Sequence, residues 1–321
     1  MSKQIALQKS GSLRKKDGFI KGFIKQIDLQ LLVIPSIIHI IIFSYIPMYG
    51  IIMAFQEFQL GDFPGMSRWV GFLHFNRLFS DPNFTTVLRN TVVISLLKML
   101  INFPVPIIFA VMLNEITHKN LKRGIQTISY LPHFISWVVG ATLLFDFFSV
   151  DNGAVNSALQ ALGLIERPIH FFGKGEYFWW MAVGTDLWKE LGWNSIIFIA
   201  SITSIDYELY EAAEIDGAGR FAKMWYITIA SIMPTIILLL IFTIGNLLNT
   251  NFDQIMMLTN QMGNARLRDF ADVIDTYVYR VGLREARYSY AAAAGLFKSV
   301  VNILLLLGAN KLASKTGNEV I

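Results

Sequence analysis

The sequence predicts an all-α polytopic membrane protein of six transmembrane helices, and three observations carry that prediction. Apolar residues make up 54% of the 321 and charged residues 16%, too little polar surface for a water-soluble chain of this length. Apolar runs recur that reach about 20 residues, enough to cross ~30 Å of hydrocarbon as helix. The polar connections between them hold most of the Lys, Arg, Asp and Glu residues. The chain has no cysteine, which excludes a disulfide framework, a thiol nucleophile and a cysteine-held metal.

The net charge is +4 and resides largely at the N-terminus. Lys3, Lys9, Arg14, Lys15, Lys16, Lys21 and Lys25 precede the first apolar run, as a cytoplasmic anchor flank does. Residues 29–56 form the first expected span, with Pro35 and Pro47 as kink points, and this run exceeds the h-region of a cleaved signal peptide. A polar connection, 57–89, carries the Ser80-Asp81-Pro82 turn. The second span covers 90–113, interrupted by Lys98, Pro104 and Pro106. The third covers 125–149, with Pro132 near its start and Asp146 near its end. The loop 150–177 leads into Tyr177, Phe178, Trp179 and Trp180, aromatic residues of the kind that settle at headgroups. The fourth span, 178–203, is the least apolar and carries Asp186, Lys189 and Glu190. The fifth, 227–250, and the sixth, 288–310, flank a long polar connection over 251–287.

Charge sets the expected orientation. With the N-terminus inside, the inner segments 1–28, 114–124, 206–226 and 311–321 hold 14 Lys and Arg in 71 residues, and the outer segments 57–89, 150–177 and 253–288 hold 10 in 97. The excess puts both termini and the 206–226 loop in the cytoplasm. The expected organisation is a basic segment, 1–28, one membrane domain, 29–310, and a short tail, 311–321.

Residues 204–226 read as a short helix, a glycine break and a second helix. Ser204 or Asp206 can cap the first, a short side-chain oxygen accepting from its free N–H groups. Leu209, Ala212 and Ala213 share one face, and Glu208 and Glu211 lie together on another. Gly217 suits the left-handed residue that ends such a helix, and Gly219 lets the chain leave closely. Two alanines with an acidic rim make a low knob that fits a partner's groove.

Glu211-Ala212-Ala213, then Asp216-Gly217-Ala218-Gly219, with Ile227 and Ile229 beyond, closely resembles the EAA loop of ABC importer permeases. The family has Leu-Pro where this chain has Ile229-Ala230, and Pro234 keeps the second proline of the pattern. The stretches 130–137 (YLPHFISW), 275–282 (DTYVYRVG) and 295–302 (GLFKSVVN) resemble the carbohydrate-uptake branch of that family, and more narrowly the permeases of complex-polysaccharide importers for alginate- or pectin-type oligosaccharides. The resemblance implies that the loop is a cytoplasmic coupling helix between the fourth and fifth spans. It further implies a second permease, two ATP-binding subunits that hold ATP and magnesium, an extracytoplasmic solute-binding protein, and residence in a bacterial cytoplasmic membrane.

The chain itself lacks the phosphate-binding Gly-x-x-x-x-Gly-Lys-Ser/Thr loop, so no cofactor is expected in it. His39, His74, His118, His133 and His170 are scattered without metal-ligand spacing, and no hydrolase motif occurs. Polar residues inside the expected spans are the candidates for a substrate path, because ionisable groups at membrane depth face water or a partner. Lys98 and Asn102 are spaced i, i+4, as are Lys298 and Asn302. Asn246 and Asn249 share a face of the fifth span with Asp253, and Trp188, Trp193 and Asn194 lie on the fourth. Two readings of the lysines stand. Facing a cavity, they would suit an acidic saccharide; paired with Asp146, Asp186 or Glu190, they would be structural. The tryptophans either stack sugar rings or pack helices. A rival function class is an ion-coupled secondary transporter of a small polar solute, gated through Lys98, Asp186 and Glu190.

Overall fold

The computed structural model describes residues 27–263 and 267–315. The basic segment that leads the charge argument and the last six residues of the tail lie outside the described residues. Two units divide the chain at residues 52 and 53. In the first, α1 (Ile27–Ile40) contains Pro35 and passes into a π-helical turn, Ile41–Tyr45, ahead of Pro47. That turn takes up the backbone bond which a proline ring cannot make.

The second unit is helical, with no strand among the described residues. After a loop comes α2 (Leu73–Phe79), then α3 (Pro82–Ile101) and α4 (Pro104–Asn114). Asp81 caps α3, its Oδ1 accepting from the Asn83 N–H at 2.9 Å, and Pro82 takes a first-turn position where no N–H is needed. The other oxygen of Asp81 accepts from the hydroxyls of Tyr277 and Tyr290, each at 3.0 Å. Burial pushes this carboxyl up, and the hydrogen bonds from Asn83, Tyr277 and Tyr290 outweigh it, holding the pKa below the ordinary carboxylate value.

The third expected span is two helices, a correction of the single run over 125–149. α5 (Lys119–Tyr130) continues through a 3₁₀ turn, Leu131–Phe134, and α6 (Trp137–Phe147) departs at 108°. Pro132 and the cap at Ser136, whose Oγ accepts from the Val139 N–H, set the break. After α7 (Ala154–Ala161), the long α8 (Gly175–Thr203) packs against α4 and α5. Close approach to α5 depends on Gly192, where a Cβ would collide with the Ser129 carbonyl.

The loop helix α9 (Glu208–Ile215) and α10 (Arg220–Lys223) follow, and a π turn, Met224–Ile229, feeds α11 (Ala230–Gly245). α11 ends at Gly245 instead of continuing to residue 250. The Asn246 N–H bonds back to Phe242 and Thr243, and Asn251, at φ 64°, caps α12 (Phe252–Leu258). Asn246, Asn249 and Asp253 therefore do not form one helical face. α13 (Arg268–Ala271) and α14 (Ile274–Tyr279) precede α15 (Tyr288–Ser314).

Among the described residues, four helical stretches are long and apolar enough to cross a bilayer: Leu29–Phe55, Pro82–Asn114, Arg220–Gly245 and Tyr288–Ser314. Counting the bent pair as one span makes five. α8 has the length, at 29 residues, but its three mid-helix charges keep it outside that count.

Gly192→Ala should lower the thermal midpoint of the purified protein in detergent, since overpacking costs about 1–3 kcal/mol. Gly124→Ala on α5, where a Cβ meets nothing within 4 Å, should hold or raise it, because alanine gains about 1 kcal/mol of helix propensity over glycine. Equal shifts of the same sign would contradict the packing described.

Candidate functional site

Two adjoining hollows and one exposed loop hold nearly all the candidate residues. The first hollow, about 550 Å³, lies between α3–α4, α8 and α11. Its wall includes Ser95, Lys98, Asn102, Asp186, Trp193, Asn194, Asn246 and Asn249. The second, about 530 Å³, is lined by Asn246, Asn249, Asp275, Lys298, Ser299 and Asn302, among others. Phe242, Asn246 and Asn249 belong to both walls. Although beyond the end of α11, the two asparagines join one hollow to the other, Asn249 Nδ2 donating to Asn246 Oδ1 at 2.8 Å.

Lys98 both lines a hollow and is paired. Its ammonium donates to Asp186 Oδ1 at 2.9 Å, Gln254 Oε1 at 2.6 Å and the Thr250 carbonyl at 3.4 Å. Three acceptors use all three donors of an ammonium. Asn102 Nδ2 donates to the second Asp186 oxygen at 2.9 Å and to the Val183 carbonyl at 3.2 Å. The lysine and aspartate side chains are each 14% exposed, where an unpaired charge would be costly. Gln254, fully buried, is fixed in turn by donating to the Ala182 carbonyl and to Thr185 Oγ1. Lys98 thus pins α3, α8 and α12 together. Ser95 Oγ and Asn102 Oδ1, both in this wall and buried, have no protein partner.

Lys298 differs. It pairs with Asp275 on α14, and this bond joins two of the stretches that carry the resemblance. Among the described residues it is the one acceptor for that ammonium, which leaves two N–H donors at the wall of the second hollow. Asn302 accepts from the Leu248 N–H at 3.2 Å through Oδ1, which leaves its amide N–H groups free to donate.

Trp193 stacks on His133, with centroids 4.1 Å apart and planes 2° apart. One face is occupied by the imidazole and the residue remains 45% exposed in the first hollow's wall. His133 Nδ1 lies 2.7 Å from Glu190 Oε2. Lys189, buried, donates to the carbonyls of His133 at 2.5 Å and Pro132 at 3.4 Å, a cation at the C-terminal end of a helix where the carbonyls point outward. Trp188 stands apart from the hollows, in a third, apolar pocket with Leu144, Phe147, Trp180 and Met181.

The loop forms as the glycine pattern predicts. Asp206 Oδ1 accepts from the Glu208 N–H at 3.1 Å, and Gly217 adopts φ +76° with nothing within 4 Å of a Cβ position. Glu211, Ala212, Asp216, Gly217 and Gly219 are exposed, and Ala213 and Ala218 are half-buried. Tyr207, Leu209, Ile215, Phe221, Trp225 and Tyr226 put an apolar rim around them, Ile215 being 87% exposed. Asp275 and Gln254 were not among the sequence candidates, since nothing in their local spacing announces a lysine brought in from a distant helix.

The comparisons with known proteins agree on one family. The model of the "binding-protein-dependent transport system inner membrane component" family matches residues 102–317. Protein LplB of Bacillus subtilis (strain 168) is 44% identical over 293 residues, covering 91% of this chain and 90% of that protein. The polygalacturonan/rhamnogalacturonan transport system permease protein YteP of the same organism is 41% identical over 307 residues, covering 95% and 93%. Among solved structures, a bacterial ABC transporter involved in the import of the acidic polysaccharide alginate superposes with a TM-score of 0.84 at 38% identity, over 93% of this chain and 99% of that one. A bacterial alginate ABC transporter in complex with an alginate pentasaccharide-bound periplasmic protein gives 0.86 at 37% identity, over 95% and 100%.

Lys98→Met should lower the thermal midpoint strongly, because an orphaned buried carboxylate costs up to about 3–5 kcal/mol. Adding Asp186→Asn should recover part of the loss. A double variant no more stable than the single one would contradict the pairing.

Proposed function

The chain belongs to the family of binding-protein-dependent transport system inner membrane components, and on that premise we propose that it is one permease subunit of an ATP-driven importer of oligo- or polysaccharide. The observation that carries this reading is the exposed α9 knob with its left-handed Gly217 and apolar rim. A short helix that leaves Leu209 and Ile215 in water is built to be covered.

In the proposed assembly, α9 seats in a groove of an ATP-binding subunit, and two such subunits hold ATP and magnesium. A second, homologous permease completes the path. An extracytoplasmic binding protein delivers the saccharide, as the structural neighbour bound to its periplasmic protein supports. The chain sits in a bacterial cytoplasmic membrane with both termini inside. Closure of the ATPase pair would push the knob and rock α8 and α11, the two helices it directly joins. The hollows between them would then open alternately to either side.

The saccharide is proposed to be acidic. The saccharides named for two relatives, polygalacturonan/rhamnogalacturonan and alginate, support that class. Of the two lysines on the hollows, Lys298 has donors to spare, and Lys98 is occupied by its own partners. Amides of Asn246, Asn249 and Asn302 and the free Asn102 Oδ1 offer hydrogen bonds to hydroxyls. The outer face of Trp193 offers a stacking plane. Ion-coupled transport through Lys98, Asp186 and Glu190 gains no support, since the family is ATP-driven and these groups are held in pairs.

Two measurements test the reading. Glu211→Lys should leave membrane insertion intact while abolishing uptake and weakening co-purification of the ATP-binding subunit; normal assembly and uptake would overturn it. Lys298→Met in the reconstituted importer should cut uptake of a uronate oligosaccharide while sparing a neutral one. Equal loss of both would return Lys298 to a structural role.

A further inference from the structure

We propose that the Glu115–Arg220 ion pair is the contact that carries movement of the α9 knob to α3–α4, the wall of the first hollow to which the loop is not covalently joined. The inference rests on the importer reading and assigns positioning roles to two residues outside both the knob and the hollows. α9 and α10 lie between α8 and α11 in the chain, so any displacement of the loop reaches those two walls directly. The third wall, α3–α4, ends at Asn114, and Glu115 follows as its C-terminal cap.

Arg220 reaches Glu115 twice. Its Nε is ion-paired with Glu115 Oε2, and Nη2 donates to the Glu115 carbonyl at 3.2 Å. Each charge sits at the wrong end of its own helix. Glu115 adds a negative charge to the carbonyl end of α4, and Arg220 opens α10 with a positive charge at its N–H end. Both placements are unfavourable for a helix dipole and are offset only when the two meet.

Stability does not account for the pair. The arginine side chain is 65% exposed, and exposed ion pairs contribute little to folding. α4 is held to α8 and α11 by the apolar cluster of Ala110, Val111, Phe198, Ile202 and Ile232. Such a surface holds the helices together by non-directional contact. The two bonds from Arg220 add a directional link between α4 and α10. A second brace sits beside it, where Tyr210 of α9 bonds the buried Thr228 hydroxyl at 2.9 Å. Thr228 lies within the π turn that opens α11, a turn type that recurs where helices must adjust.

The experiment uses the full importer, co-expressed and reconstituted in vesicles, with Glu115→Gln and Arg220→Gln and with the exchange variant Glu115→Arg plus Arg220→Glu. Uptake of a uronate oligosaccharide and ATP hydrolysis are measured on the same vesicles. The single variants should assemble and hydrolyse ATP, while saccharide moved per ATP falls by roughly threefold or more, the scale of one exposed ion pair. The exchange variant should restore the ratio. An unchanged ratio in the single variants, or a ratio not restored by exchange, would overturn the proposal. If the wild-type complex itself fails to couple hydrolysis to uptake, the importer reading fails instead.

Discussion

A charge inside hydrocarbon must find a partner, and in this molecule that constraint decides which helices meet. Lys98 takes an aspartate from α8 and a glutamine from α12. Lys298 takes an aspartate from α14. Lys189 takes the carbonyls that the break between α5 and α6 leaves open. Each lysine therefore fixes a junction of two or three helices, and the junctions at Lys98 and Lys298 border the hollows. Apolar packing supplies most of the burial, but it would hold many helix arrangements nearly as well, whereas paired charges admit few. The same pairing leaves the two lysine–aspartate pairs neutral overall, Lys98 with all three donors occupied and Lys298 with two to spare.

Much of this was legible in the sequence. Apolar run length and the flanking basic residues gave the helical membrane class, and the Gly217 break gave the loop with its left-handed residue. Spacing also singled out Lys98, Asn102, Lys298 and Asn302, which line the hollows with Trp193 and Asn194, because polar residues in apolar helices turn away from lipid. Asn246 and Asn249 reach the hollows from beyond the end of α11 and not from the helical face their spacing predicts. What stayed illegible depends on distant pairs. Nothing near Asp275 says that Lys298 will arrive, and nothing near Gln254 says that it will fill the third donor of Lys98. The third span reads as continuous because no Lys, Arg, Asp or Glu interrupts residues 125–145, although its first turns, on α5, are amphipathic. The 108° bend comes from Pro132 together with a cap at Ser136 and a lysine from α8. Trp188 and Trp193 looked equivalent in sequence, yet five residues turn a helix by more than one full turn and put them in different pockets.

In the proposed mechanism these parts act together. A loop that exposes apolar side chains next to a left-handed glycine reaches two walls of the first hollow by covalent continuity and a third through a side-chain pair. The hollow's wall is largely apolar, and amides and the Lys98–Asp186 pair supply its polar points. In the proposed importer an ATP-binding subunit would push such a loop, and the saccharides named for the relatives give the chemistry that such a lining would follow.

The central claim, that α9 is covered by an ATP-binding subunit, has a direct test because the chain contains no cysteine. A single Ala212→Cys substitution gives a unique thiol on the knob, and its rate of reaction with a water-soluble maleimide can be compared in the isolated chain and in the assembled importer. Rapid labelling of the isolated chain and strong protection in the complex are expected, with a control Ser157→Cys chain, substituted at an exposed position, labelled equally in both. Equal labelling of the Ala212→Cys chain in the two states, with the ATP-binding subunit demonstrably bound, would contradict the claim.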